Sequence, residues 1–176
     1  MFGPAADQVE LTEPPFGANM AFKREVFDRF GGFRTDLGRI GKGMLSGEDT
    51  EFGRRILNAG LRLRYEPDAV TYHPVEESRR RRRYFLSWWF NKGKSDIREF
   101  ADQGQIRRPF SILLRSIRDA AVEAIRWIIT LDPADRFICI LKIWAYAGQA
   151  SEYYRYASAA KRRNASSIQM QVHNRD

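Results

Sequence analysis

The chain changes character after Glu77, and this change constrains its fold more than any single motif does. Upstream, Pro4, Pro14 and Pro15 and then Gly38, Gly41, Gly43 and Gly47 cut the sequence into short segments. Downstream, apolar residues recur at helical spacing, which predicts helices over 77–102, 109–130 and 133–160, with Asp132-Pro133 as a natural break. In the second helix Leu114, Ile117, Ala121, Ala124, Ile125 and Ile128 form one stripe, while Arg115, Arg118, Asp119, Glu123 and Arg126 take the rest. Phe137, Ile140, Leu141, Trp144, Ala145 and Gly148 form the corresponding stripe of the third. From Asn164 onward the residues are polar and read as a disordered terminus.

Three regions follow: 1–76, an α/β part; 77–163, a basic amphipathic helical tail; and 164–176. Within the first, residues 1–16 read as an irregular entry. A short apolar segment, Gly17 to Phe22, predicts a strand leading into a helix over Lys23 to Phe30, which Gly31-Gly32 terminates. A glycine-rich loop, 33–47, precedes a second helix, Glu48 to Ala59, stopped by Gly60. Leu61, Leu63 and Tyr65 then alternate with arginines, and Ala69 to Tyr72 predicts another short strand ending at His73-Pro74.

Charge is concentrated rather than spread. Of a net charge of +8, residues 79–108 contribute +7, from ten Lys or Arg against three acids. Such a balance attracts an anionic partner, whether phospholipid, nucleic acid or nucleotide diphosphate. The single Cys139 excludes an internal disulfide and a cysteine metal cluster, and points to a reducing compartment. The first residues lack a basic segment followed by an apolar run, so no secretory signal is evident, and the apolar stretches are too short to span a bilayer.

Gly47-Glu48-Asp49-Thr50-Glu51 places carboxylates at a loop-to-helix junction, where the helix dipole and free backbone N–H groups favour negative charge. Ser46 with Asp49 fits a capping box, which is the structural reading. The functional reading is that a carboxylate held there can act as general base toward a hydroxyl. Gly17 and Asn19 suit a simple turn or the close approach of backbone to a ligand. His73 fits either a loop histidine or a metal ligand. Arg55 suits a structural role beside a helix or loop carboxylate.

The order of the segments is more specific than any one of them. Gly17-Ala18-Asn19-Met20-Ala21-Phe22-Lys23-Arg24, Phe30-Gly31-Gly32-Phe33, Gly47 to Glu51 with Arg55, and Tyr65 to His73 together resemble family 2 glycosyltransferases over about residues 14–75. The resemblance implies a partial GT-A (Rossmann-like) fold. It also implies transfer of a sugar from a nucleotide-diphosphate donor to an acceptor hydroxyl, with a divalent metal, Mg or Mn, in the complete enzyme. By the same resemblance Asp49 is the catalytic base, Glu48 orients acceptor or loop, Gly17 and Asn19 line the acceptor side, and His73 faces the metal and diphosphate. The family's nucleotide-binding half and its Asp-x-Asp motif are absent from the 176 residues, so the chain is expected to be an acceptor-side part, inactive alone.

Arg79 to Arg83 followed by Tyr84, Phe85, Trp88, Trp89 and Phe90 couples cations to an aromatic belt, as helices on anionic membrane surfaces do. The alternative is a helix that packs those aromatics on the protein. A lipid-linked acceptor in envelope polysaccharide synthesis, at the cytoplasmic face of the membrane, would suit the first reading. Two other functions remain compatible: a basic nucleic-acid-binding module, which explains the tail but not the ordered segments, and a noncatalytic membrane scaffold.

Overall fold

The computed structural model describes residues 9–17, 19–39, 41, 43–102 and 109–173, in two compact units, Met1–Arg81 and Arg82–Asp176. Arg107, Arg108, the first eight residues and the last three lie outside the described residues.

In the first unit, a helix α1 (Arg24–Phe30) ends at Gly31, whose φ of 75° lets its N–H reach the carbonyl of Phe27. A second helix, α2 (Glu48–Asn58), is followed by Gly60 at φ 77°. Both terminations are the ones that the glycines predict. The two helices meet around Phe52, which is fully buried and touches Phe22, Phe27 and Phe33 with ring centroids 4.9–5.3 Å away. Such pairs add about 0.5–1.5 kcal/mol each to the area they bury. Arg55 joins the helices from the polar side. Its guanidinium chelates Glu51 and donates to the carbonyls of Phe30, at 2.6 Å, and Gly32, at 3.2 Å, just past the end of α1.

The expected α/β character takes a reduced form. Leu63–Tyr65 is a strand, β2, but its partner is β1 (Val9–Leu11), inside the segment read as irregular, and the pair is antiparallel with Val9 opposite Tyr65. The segments 17–22 and 69–72, expected as strands, are unpaired in any ladder. A strand needs a second backbone edge, and among the described residues β1 and β2 form the one sheet.

The second unit is three helices. Beyond a 3-10 turn, Glu77–Arg80, run α3 (Arg82–Asp102), α4 (Pro109–Ile129) and α5 (Pro133–His173). The last passes its expected end at 160, so the terminus read as disordered from 164 is helical through His173. No glycine or proline interrupts it after Gly148, and alanines and basic residues of high helix propensity extend it. Asp132 caps its start by accepting the N–H groups of Ala134 and Asp135 at 2.8 and 2.9 Å, with Pro133 in the first turn.

α3 lies parallel to α5, since Phe85 meets Phe137, Phe90 meets Trp144 and Arg98 meets Glu152 in rising order. α4 lies antiparallel to α5, Ser116 bonding Gln149 and Glu123 bonding Lys142. The α3–α5 contact is set by two glycines. A Cβ on Gly93 would fall 1.9 Å from the carbonyl oxygen of Ala145, and one on Gly148 would fall 1.9 Å from that of Phe90. Backbone approaches backbone there, and some of the α3 aromatics pack against α5. Tyr84, Trp88, Trp89 and Phe90 are half-buried, and Phe85 sits edge-on to Phe137.

Glu99, Glu123 and Glu152 are buried in this unit. Glu152 accepts from Arg98 at 2.7 Å and from Arg155 at 2.9 Å. Burial alone would raise its carboxyl, but the hydrogen bonds and charges of the two arginines bring it below its ordinary value. Glu123 accepts from Lys142 and Arg126, each at 3.1 Å. Burial would raise it too, and the bonds from Lys142 and Cys139 together with the two cations lower it. Burial, then the bond to Glu123, pushes the Cys139 thiol up and away from the reactive thiolate.

Gly148→Ala is expected to destabilise the helical unit by about 3 kcal/mol, because overpacking against a rigid carbonyl outweighs the roughly 1 kcal/mol gain in helix propensity. A thermal melt followed by circular dichroism at 222 nm measures it, and a raised melting temperature would contradict the close crossing. Glu123 and Glu152 bind protons less readily folded than unfolded, so their contribution is complete above the unfolded value of 4.5 and is lost as pH falls through the lower folded values. Urea midpoints should therefore fall below about pH 4.5, and the fall should shrink in Glu152→Gln.

Candidate functional site

α2 begins beneath the glycine-rich loop, and its first turn gathers three acids, Glu48, Asp49 and Glu51. The capping box is not formed. The N-cap is Gly47, in the left-handed region at φ 105°, and no side chain caps the helix. A glycine suits this left-handed position and has no side chain with which to cap. Ser46 is therefore one position too early to cap.

Asp49 is half-buried and held from two directions. One carboxylate oxygen accepts the backbone N–H of Gly17, thirty-two residues earlier, and the other accepts the N–H of its neighbour Thr50 at 2.7 Å, with the Thr50 hydroxyl at 3.3 Å. Oδ1 takes both Thr50 donors, while Oδ2 accepts the Gly17 N–H alone and keeps a further lone pair, so the carboxylate can still accept a proton there. A side chain at Gly17 would crowd this approach. A Cβ there would lie 2.6 Å from Asp49 Oδ2 and 3.0 Å from Met20 Cε.

The remaining candidates fall into separate contacts. Glu48 lies against Gly38, whose φ is 82° and whose Cβ, if present, would meet the Glu48 carboxylate at 2.7 Å. This contact ties the glycine-rich loop to α2 beside the buried Leu37. Asn19 is exposed and donates its side-chain amide to the carbonyl of Ala69, which tethers the Gly17 turn to the segment running to His73. Gly17, Asn19 and Asp49 are thus brought into one neighbourhood.

His73 is exposed on the extended stretch after Ala69. Among the described residues no group of three or more His, Cys, Asp or Glu could hold a metal ion. These residues therefore do not fit a divalent cation by themselves, and His73 alone does not make a centre.

Sequence reasoning passed over Thr50, which engages the candidate base twice, and Gly53, whose Cβ would meet Pro14 at 2.8 Å and which therefore seats the entry segment against α2. The signal for Gly53 was present: a glycine inside a helix, whose propensity cost calls for a packing reason. Gly17→Ala is expected to push Asp49 out of its position and lower any activity that depends on it, at a stability cost of roughly 1–3 kcal/mol. Unchanged turnover and melting temperature would show that the Gly17–Asp49 approach has no role.

Neither a curated protein nor a solved structure matches the chain. The model of the family described as glycosyl transferase family group 2 matches residues 4–149. The match takes in both helices of the first unit and continues through α3 and α4 to Gln149 of α5, the residue that bonds Ser116. It runs well beyond residue 75, where the legible motifs end. With more than four-fifths of its length so matched, and with the first-turn carboxylates of α2 inside the match, the chain belongs to glycosyl transferase family group 2.

Proposed function

We propose that residues 1–81 form the acceptor side of a GT-A-type glycosyltransferase, with Asp49 as the general base. The observation that carries this reading is the carboxylate of Asp49, fixed in the first turn of α2 by the N–H of Gly17 and by Thr50 while Oδ2 keeps accepting capacity. Donor N–H groups on both oxygens orient the carboxylate without using all its lone pairs. Family membership supports the transfer chemistry.

In this reading Asp49 takes the proton of an acceptor hydroxyl as the oxygen bonds to the anomeric carbon of a nucleotide-diphosphate sugar. The bond from that carbon to the diphosphate breaks, and the nucleoside diphosphate leaves with the electron pair. Attack opposite the leaving group inverts the anomeric centre. Gly17 and Asn19 line the acceptor side, their donors holding Asp49 and the Ala69 segment in place, and Glu48 lies against the glycine-rich loop at Gly38. The acceptor is a sugar or a lipid-linked sugar in envelope polysaccharide or glycolipid synthesis. Mg or Mn, where used, would neutralise the leaving diphosphate, and its ligands belong to the donor side. No Asp-x-Asp occurs in the sequence, so the nucleotide-binding side is supplied from outside these 176 residues.

Two measurements test this. In a transferase that contains this sequence together with its nucleotide-binding half, Asp49→Asn should lower turnover by about 10²–10⁴-fold, the usual contribution of general base catalysis, with little change in melting temperature. Normal turnover would remove Asp49 from the role. Calorimetric titration of the 176-residue chain with nucleotide-diphosphate sugars should give no heat of binding, with or without Mg or Mn. Metal-dependent binding would place a donor site on this chain and overturn the acceptor-side assignment.

A further inference from the structure

The second unit buries the polar side of α4 and exposes its apolar side. Ser116 and Glu123 are 3% and 6% exposed, while Ile117, Ile125 and Ile128 are 55%, 60% and 70% exposed. Phe110, Leu114, Ile117, Ala121, Ile125 and Ile128 fall at helical spacing on one face, and the exposed Ile129 and Leu131 extend it at the C-terminal end. The polar side is inward because α5 presents Gln149 and Lys142 as partners for Ser116 and Glu123. α4 has 21 residues and so offers an apolar strip about 30 Å long. It does not cross a bilayer, since no helix among the described residues is long and apolar enough.

The charge around the strip chooses its occupant. Both acids of α4 are withdrawn, Glu123 by burial and Asp119 by partial burial and its pairing with Arg118 at 2.7 Å. Arg115, Arg118 and Arg126 stay exposed on one flank. A second copy of the chain meeting this face with its α4 antiparallel about a two-fold axis would set arginines near arginines around the apolar contact. A surface of phosphate headgroups over acyl chains complements both features, because arginine stems lie along apolar surface while their guanidiniums reach phosphate.

We propose that α4 is an in-plane anchor whose outward face inserts into the headgroup boundary of an anionic membrane. The anchor is α4 rather than the arginine–aromatic segment of α3, where Phe85 and Phe90 pack against Phe137 and Trp144 of α5 and Tyr84, Trp88 and Trp89 are half-buried. This assignment is independent of the catalytic reading.

The test is flotation of the full 176-residue chain with vesicles of phosphatidylglycerol and phosphatidylcholine, against vesicles of phosphatidylcholine alone. The chain should float with the anionic vesicles. Ile117→Ser, Ile125→Ser and Ile128→Ser combined should weaken partitioning about a hundredfold while leaving the circular dichroism spectrum unchanged, because all three side chains are exposed. Arg115→Gln should weaken it about fivefold on anionic vesicles only. Absence of flotation, or flotation unaffected by the triple substitution, would overturn the proposal. So would a dimer in sedimentation equilibrium that the triple substitution dissolves while vesicle binding persists, since the face would then join two copies of the chain.

Discussion

With its ring enclosed by Phe22, Phe27 and Phe33, Phe52 determines how α2 is rotated about its axis. The placement of Asp49 depends on that rotation. Asp49 lies three residues before Phe52, close to the same side of the helix, so seating the phenylalanine in the aromatic cluster turns the carboxylate toward the Gly17 turn. Arg55, three residues after Phe52, secures the other end by clamping Glu51 and the carbonyls beyond α1. An apolar anchor flanked by two polar ties holds a helix against both rolling and sliding. A base that must meet a hydroxyl at hydrogen-bond distance needs that rigidity.

The helical unit rests on a different constraint. Gly93 and Gly148 allow α3 and α5 to approach until side-chain volume is absent from the contact, and the aromatic residues on either side close over the crossing. Buried carboxylates follow from the same closeness. Glu152 is shielded between Arg98 and Arg155, and an unpaired charge there would carry a large desolvation cost. Glu123 and Glu152 are tolerated because each meets its own cationic partners.

The two kinds of polar burial also account for the outward face of α4. Once Ser116 and Glu123 are committed to Gln149 and Lys142, the opposite side of a helix with one strong apolar stripe has to face outward. That choice costs apolar burial within the unit, and it is the kind of local conflict that marks an interaction surface.

Much of this protein could be read along the chain. The ends of α1 and α2 follow from Gly31 and Gly60, the start of α5 from Asp132-Pro133, and β2 from the alternation of Leu63 and Tyr65 with arginines. The family follows from the order of short segments, although its extent past residue 75 does not, since helices with ordinary amphipathic patterns carry no distinctive local motif. Arg55 was legible as a structural residue, and the acids at the start of α2 as a candidate site. Only tertiary structure decided that Gly17 holds Asp49, that Val9 pairs with Tyr65, that Asn19 reaches Ala69, and that the apolar side of α4 looks outward. The reason is physical: periodicity and capping are set by neighbours within a few residues, so a sequence records the spacing of an apolar stripe. Which surface meets that stripe, and which distant backbone group meets a carboxylate, depends on contacts between residues far apart in the chain.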